Sequence, residues 1–157
     1  MNSKTLLFGL ILFLPAILLL TGCDRSTDPH DDQHGEPVAA EVYDRETGEL
    51  LTYTHGTGAG MHWDGALPHL QVGEEIELDI RFLDEDNNEI PLGDEFEVRA
   101  QLADGAPEGI IEISNHIDHI DIEGISVGET EILFQLWHGD HADWATPALA
   151  IEVEDHD

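Results

Sequence analysis

From residue 67 onward the chain alternates apolar and polar side chains with a period of two, and this leaves little choice but β-sheet. Ile76, Leu78, Ile80 and Phe82 alternate with Glu77, Asp79 and Arg81. Phe96, Val98, Ala100 and Leu102 alternate with Glu97, Arg99 and Gln101, and Thr130, Ile132, Phe134 and Leu136 follow the same rule. Such spacing puts every apolar side chain of a strand on one face. Runs at 67–72, 110–113, 117–122 and 148–153 complete the set, and no segment carries a 3.6-residue period. Short strands parted by glycine-bearing turns predict an all-β fold, an antiparallel β-sandwich over 67–157.

The upstream part is organised differently. Residues 38–43 and 50–54 flank a turn-like stretch at 44–48, which predicts a small hairpin. The glycine-rich segment 55–65, HGTGAGMHWDG, reads as a loop, so 38–66 forms a hairpin and a Gly/His loop. Residues 24–37 contain no large apolar side chain and bury nothing, so 23–37 reads as a disordered acidic tether.

The start of the chain resembles a bacterial lipoprotein signal. Lys4 precedes a fifteen-residue apolar run, 6–20, and Leu20-Thr21-Gly22-Cys23 follows the form of a lipobox. The run extends about 22 Å as a helix, short of the ~30 Å hydrocarbon core, and Pro15 interrupts it. The resemblance implies cleavage after residue 22, a lipid on Cys23 as the membrane anchor, and residence in the bacterial cell envelope outside the cytoplasm, in the periplasm or at the cell surface. Cys23 is the only cysteine, so no disulfide forms within the chain.

Beyond residue 22 there are 35 acidic residues against four arginines, Arg25, Arg45, Arg81 and Arg99, a formal charge of 4 − 35 = −31. A surface so acidic repels phosphate backbones and excludes nucleic acid as a partner. It attracts cations.

A second resemblance lies in the strand-rich part. Gln71-Val72-Gly73-Glu74-Glu75-Ile76-Glu77-Leu78 is similar to the opening of a bacterial immunoglobulin-like domain of the second group. Residues 122–132, IEGISVGETEI, resemble that family's glycine-turn-glycine signature between late strands. The resemblance implies an immunoglobulin-like sandwich. Family members usually carry a serine-rich stretch before the signature, where this chain has Asn115-His116-Ile117-Asp118-His119.

All ten histidines follow residue 22. With strands at 67–72, 75–83, 95–102, 110–113, 117–122, 130–137 and 148–153, antiparallel connections alternate between two ends. One end then collects His62 and His69, His116 and His119, and His138 and His141. Neutral imidazole is the commonest biological metal ligand, and neighbouring carboxylates ligate or orient it. His138 and His141 lead, because Gly139 eases the backbone turn that a His-x-x-His pair needs. Asp140 and Asp143 are expected to ligate or orient. Zinc is the first cofactor expected, with copper(II) or nickel also compatible. Asp84-x-Asp86-x-Asn88 echoes a calcium loop, but Glu89 stands where that loop needs glycine. No nucleophile elbow, phosphate loop or zinc-protease motif occurs, so a binding protein is expected rather than an enzyme. The expected role is metal capture, buffering or hand-over, to an envelope protein or metal transporter. The alternative is an immunoglobulin-like interaction or spacer module whose histidines are incidental.

Overall fold

The computed structural model describes residues 35–155; Cys23, His30, His34 and His156 lie outside them, as do the leader and most of the tether expected upstream. Among the described residues, twelve strands carry the fold: β1 (Ala39–Asp44), β2 (Leu50–His55), β3 (His62–Gly65), β4 (Leu70–Gln71), β5 (Glu75–Leu83), β6 (Glu89–Ile90), β7 (Phe96–Leu102), β8 (Ile111–Asn115), β9 (Ile120–Gly124), β10 (Gly128–His138), β11 (His141–Ala145) and β12 (Leu149–Glu154).

One sheet runs β3-β2-β1-β5-β9-β8, with β6 also on β5. In the other, β7 lies along one edge of β10, and β11 and then β12 lie along its opposite edge, followed by β4. Strands β1, β5, β9 and β8 in one sheet face β7, β10 and β12 in the other, the four-and-three partition of an immunoglobulin-like sandwich. β4 runs parallel to β12, and every other pairing is antiparallel.

The period-two pattern fills the space between the sheets. Ile76, Leu78, Ile80 and Phe82 of β5 are buried against Val98, Ile132, Phe134, Leu136 and Ile151 from the facing sheet. One turn at the base needs glycine for room. A Cβ on Gly124 would lie 2.6 Å from the Gln71 carbonyl oxygen, where the end of β9 closes on the β4–β5 turn. That approach is sealed by Gly73 N–H to the Gly124 carbonyl and Gly124 N–H to the Glu74 carbonyl.

Several sequence expectations are corrected here. The hairpin at 38–66 is continuous with the sandwich, because β1 pairs with β5 over six residue positions and buries Ala40 and Val42 in the common core. Part of the glycine-rich segment is strand: His55 ends β2, and β3 pairs back on it, turning Trp63 inward onto Phe134 at 6.2 Å between ring centroids. The Trp63 indole N–H donates to the Pro147 carbonyl at 3.0 Å, tying β3 to the other sheet. The strand expected at 67–72 is only Leu70–Gln71. The one expected at 117–122 begins at Ile120, and Ile117 sits exposed in the turn before it. The loop expected before the last strand is instead a tight hairpin, β10–β11.

The turn at Asp84 is closed by hydrogen bonds to the Asp84 carboxylate. Asp84 Oδ1 accepts the backbone N–H groups of Asp86 and Asn88, and both its oxygens accept the Asn88 side-chain amide. Its carboxyl group is held below the ordinary aspartate range by those hydrogen bonds, with the Asn88 backbone N–H foremost.

Strand directions place the hairpins. β2 and β8 each run parallel to β5, being two antiparallel steps from it. The tight turn after β4 reverses the chain into β5, and β4 is parallel to β12 and so antiparallel to β10. β2, β5, β8 and β10 therefore all rise in one direction, and the β2–β3, β8–β9 and β10–β11 connections open toward one end. The β8–β9 hairpin stops short of it. Its last pair, Asn115 with Ile120, stands level with Leu78, midway along β5.

Candidate metal centre

Each of these three connections carries two histidines and an aspartate whose ligand atoms lie within 4.8 Å of one another: His55, His62 and Asp64; His116, His119 and Asp121; His138, His141 and Asp143. The construction repeats. In the first and third groups a histidine on the ascending strand meets one on the descending strand, in the second both histidines lie in the turn between β8 and β9, and in all three an aspartate follows the second histidine at i+2. Along a strand, residues i and i+2 share a face, so the His-x-Asp spacing brings carboxylate and imidazole together on one side.

In the first group, His55 pairs directly with His62 across β2 and β3, their ring centroids 5.5 Å apart. His55 Nδ1 is 3.3 Å from Asp64 Oδ2. The Gly60 carbonyl lies 3.1 Å from His62 Nδ1, so the ring donates there, and in the neutral imidazole Nε2 is left to accept or ligate. The group lies on the outer face, since Thr52, Thr54 and Trp63 take the inward positions.

In the second, the backbone N–H of His116 donates to the His119 carbonyl, closing the turn. The two imidazoles stack with centroids 4.2 Å apart and planes 7° from parallel. His116 Nε2 is 2.9 Å from Asp121 Oδ2, and His119 Nε2 is 3.7 Å from Asp121 Oδ1. Asp118 Oδ1 lies 2.8 Å from His119 Nδ1, and that hydrogen bond foremost, with the nearby Arg45 charge, holds the Asp118 carboxyl group below its ordinary range.

In the third, His138 and His141 are cross-strand partners around Gly139-Asp140, and Gly139 takes a left-handed φ of 61°. Asp143 sits in the irregular step where the register shifts between Leu136 and Trp137. Its Oδ2 is 3.7 Å from His138 Nδ1 and its Oδ1 2.9 Å from His141 Nε2, the same pair of separations as in the second group. His138 lies at the mouth between the sheets, its ring 4.9 Å from that of Phe96. A cavity of about 510 Å³ opens beside it, walled by Ile90, Leu136 and Trp144. Asp140 is fully exposed; its hydrogen bond to His141 Nδ1, the largest influence, raises the His141 pKa above the usual histidine value.

The dimensions suit a small cation. With bonds of ~2.0–2.2 Å in a tetrahedron, two ligand atoms of one zinc ion stand roughly 3.3 Å apart. The observed nitrogen-to-carboxylate separations of 2.9, 3.3 and 3.7 Å bracket that figure. Each group supplies three donors of the kind zinc, copper(II) and nickel accept.

Of the residues expected as ligands, His62, His116, His119, His138, His141 and Asp143 fall in these groups, divided among three hairpins instead of joined in one centre. Asp140 is placed to orient a ring. His69 is a correction: because β4 is short and pairs with the end of β12, His69 stands at the opposite end, 3.5 Å from Glu152 and 3.0 Å from Glu154. His55, Asp64 and Asp121 complete groups that the sequence reading left unfinished. Their signal was the His-x-Asp repeated at 62–64, 119–121 and 141–143, each preceded by a further histidine.

No family model and no curated protein matches the chain. Among solved structures, domains 4 and 5 of the S-layer protein SbsC are similar, with a TM-score of 0.39 and 12% identity over 73% of this chain and 74% of that one. So distant a likeness carries no argument about what the hairpins bind.

Proposed function

We propose that this chain is a lipid-anchored envelope protein that holds divalent transition-metal ions, zinc foremost, at its hairpin mouths for capture, buffering or hand-over. The observation that carries the reading is the threefold recurrence of one donor set, two imidazoles and a carboxylate, on hairpins far apart in sequence. Independent surface histidines have no reason to repeat the same meeting of two imidazoles across a chain reversal and the same i+2 aspartate. The charge of −31 beyond residue 22 supports the reading by concentrating cations near the surface. The resemblance of Leu20-Thr21-Gly22-Cys23 to a lipobox supplies the anchor and the compartment.

The role is binding, not catalysis. Three protein donors leave a fourth position on a tetrahedral ion, and at an open site a partner's side chain or water can take it. That is a geometry suited to passing a metal on. The partner is a metal-accepting protein of the envelope.

Calorimetric titration of zinc into the chelator-stripped, untagged protein at pH 7.5 tests the proposal. Up to three equivalents, the first of them submicromolar, are expected, and all should vanish in the combined variant Asp64→Asn, Asp121→Asn, Asp143→Asn. Weak uptake of many equivalents, indifferent to those substitutions, would leave an acidic interaction module with incidental histidines.

A further inference from the structure

Resting on the metal-binding reading, we infer that the 116–121 hairpin is the tightest of the three sites, and that Asp118 and Arg45 are its positioning residues. Together they fix His119 with Nε2 turned toward the ion.

Three features single this hairpin out. Among the described residues, Asp121 Oδ1 is the buried side-chain oxygen that accepts no hydrogen bond. Buried polar atoms are paired almost without exception, and a bound ion is one of the few reasons for an orphan. The atom facing it is His119 Nε2 at 3.7 Å. An ionised Asp118 only accepts, so in the neutral imidazole, the form that ligates a metal, the hydrogen bond at His119 Nδ1 puts the ring proton there and leaves Nε2 with a bare lone pair. In that form a carboxylate oxygen and an imidazole lone pair confront each other with no proton between them. A divalent cation turns that opposition into two coordinate bonds, and His116 Nε2, beside the other Asp121 oxygen, adds a third.

The orienting carboxylate is itself held. Arg45 Nη2 lies 3.5 Å from Asp118 Oδ2, while Nη1 binds Asp79 at 2.5 Å and the Arg45 backbone N–H donates to the Glu77 carbonyl. The guanidinium is therefore fixed to β5 and reaches across to the hairpin. This is the arrangement of carboxylate, histidine and metal in which the outer partner sets tautomer and ring angle. At the other hairpins the corresponding partner is the neutral Gly60 carbonyl, or Asp140 standing free in water. Ligand exposure follows the same order, with His119 and Asp121 about one-fifth exposed and His55 and His141 about two-thirds.

Zinc titrations of the full-length, untagged protein in detergent, against a competing chelator, test this. Asp121→Asn should abolish the tightest equivalent, and Asp118→Asn should weaken it by about 10–100-fold. Arg45→Gln should weaken it less, in the same direction. Asp64→Asn and Asp143→Asn should leave it intact and each remove a weaker one. Long-range ¹H–¹⁵N spectra of the metal-free protein should show His119 protonated on Nδ1, and Asp118→Asn should shift that population toward Nε2, a change that general loosening of the hairpin does not produce. Loss of the tightest equivalent in Asp143→Asn, or its survival unchanged in both Asp118→Asn and Arg45→Gln, would overturn the inference. Three equivalents of equal affinity would refute the ranking alone; no zinc bound by the unaltered protein would refute the metal-binding reading itself.

Discussion

Asp121→Asn in metal-free protein at pH 8 probes the orphaned oxygen directly. In the unaltered protein, Asp121 Oδ1 is buried without a donor, a state that costs about 1–3 kcal/mol. Asparagine keeps a carbonyl oxygen for the His116 Nε2–H and presents an amide N–H₂ to the bare His119 Nε2, replacing an acceptor–acceptor contact with a donor–acceptor one. Set against this is the weakening of the His116 hydrogen bond when its acceptor loses its charge, about 1 kcal/mol. The balance is a stabilisation of about 1 kcal/mol, or roughly 3–5 °C in melting temperature for a domain of this size. Zinc reverses the order. At a free concentration of about 100 times Kd, a site contributes about 2.7 kcal/mol, or roughly 8–13 °C, and the variant lacks that increment at this hairpin. Thermal denaturation in chelator and in buffered zinc should therefore show the variant melting above the unaltered protein without metal and below it with metal. A variant that melts several degrees lower in chelator, or that keeps the full zinc shift, would show that Asp121 is not an unpaired acceptor awaiting a cation.

Other consequences follow from the remaining sites and the core. The His141 pKa is raised by Asp140 first, so its ion pair stabilises the metal-free fold fully below the unfolded value of about 6.5 and is lost as pH rises through the folded value. Zinc must displace that proton, so Asp140→Asn should lower the pH at which the 138–143 site fills, measured by zinc titration across pH 5.5–8. Gly139 has open space around it and a φ of 61°, so Gly139→Ala should cost only the left-handed backbone penalty, about 1–2 kcal/mol, and weaken zinc at this hairpin, whereas Gly139→Asn should be tolerated. Phe134 is fully buried with Trp63 against its ring, so Phe134→Ala should destabilise by about 3–5 kcal/mol in urea unfolding.

The sequence was most legible where one strand's own side chains decide the outcome. The alternation in β5, β7 and β10 stated both element and inward face, because a sandwich strand needs only to hide every second residue. His138, Gly139 and His141 were legible for the same reason: a short turn with a glycine constrains its two neighbours. What escaped depends on contacts between distant segments. Nothing local in the glycine-rich 55–65 stretch announces β3, which forms because Trp63 finds Phe134 and the Pro147 carbonyl in the other sheet. His69 changed ends because its strand shrank to the two residues that β12 can pair. Asp121's place beside the two histidines follows from where the β8–β9 turn falls, and Asn115 helps place that turn by bonding its side-chain amide to both backbone groups of Ala100. That exchange between sheets has no sequence signature.

Diffraction data from zinc-soaked crystals, collected on both sides of the zinc absorption edge, would show where zinc binds. Anomalous peaks are expected within bonding distance of His55, His62 and Asp64, of His116, His119 and Asp121, and of His138, His141 and Asp143, with the highest occupancy in the second group at limiting zinc. Zinc scattered over the acidic surface, or held by His69 with its glutamates while the three hairpins stay clear, would contradict the metal-binding reading.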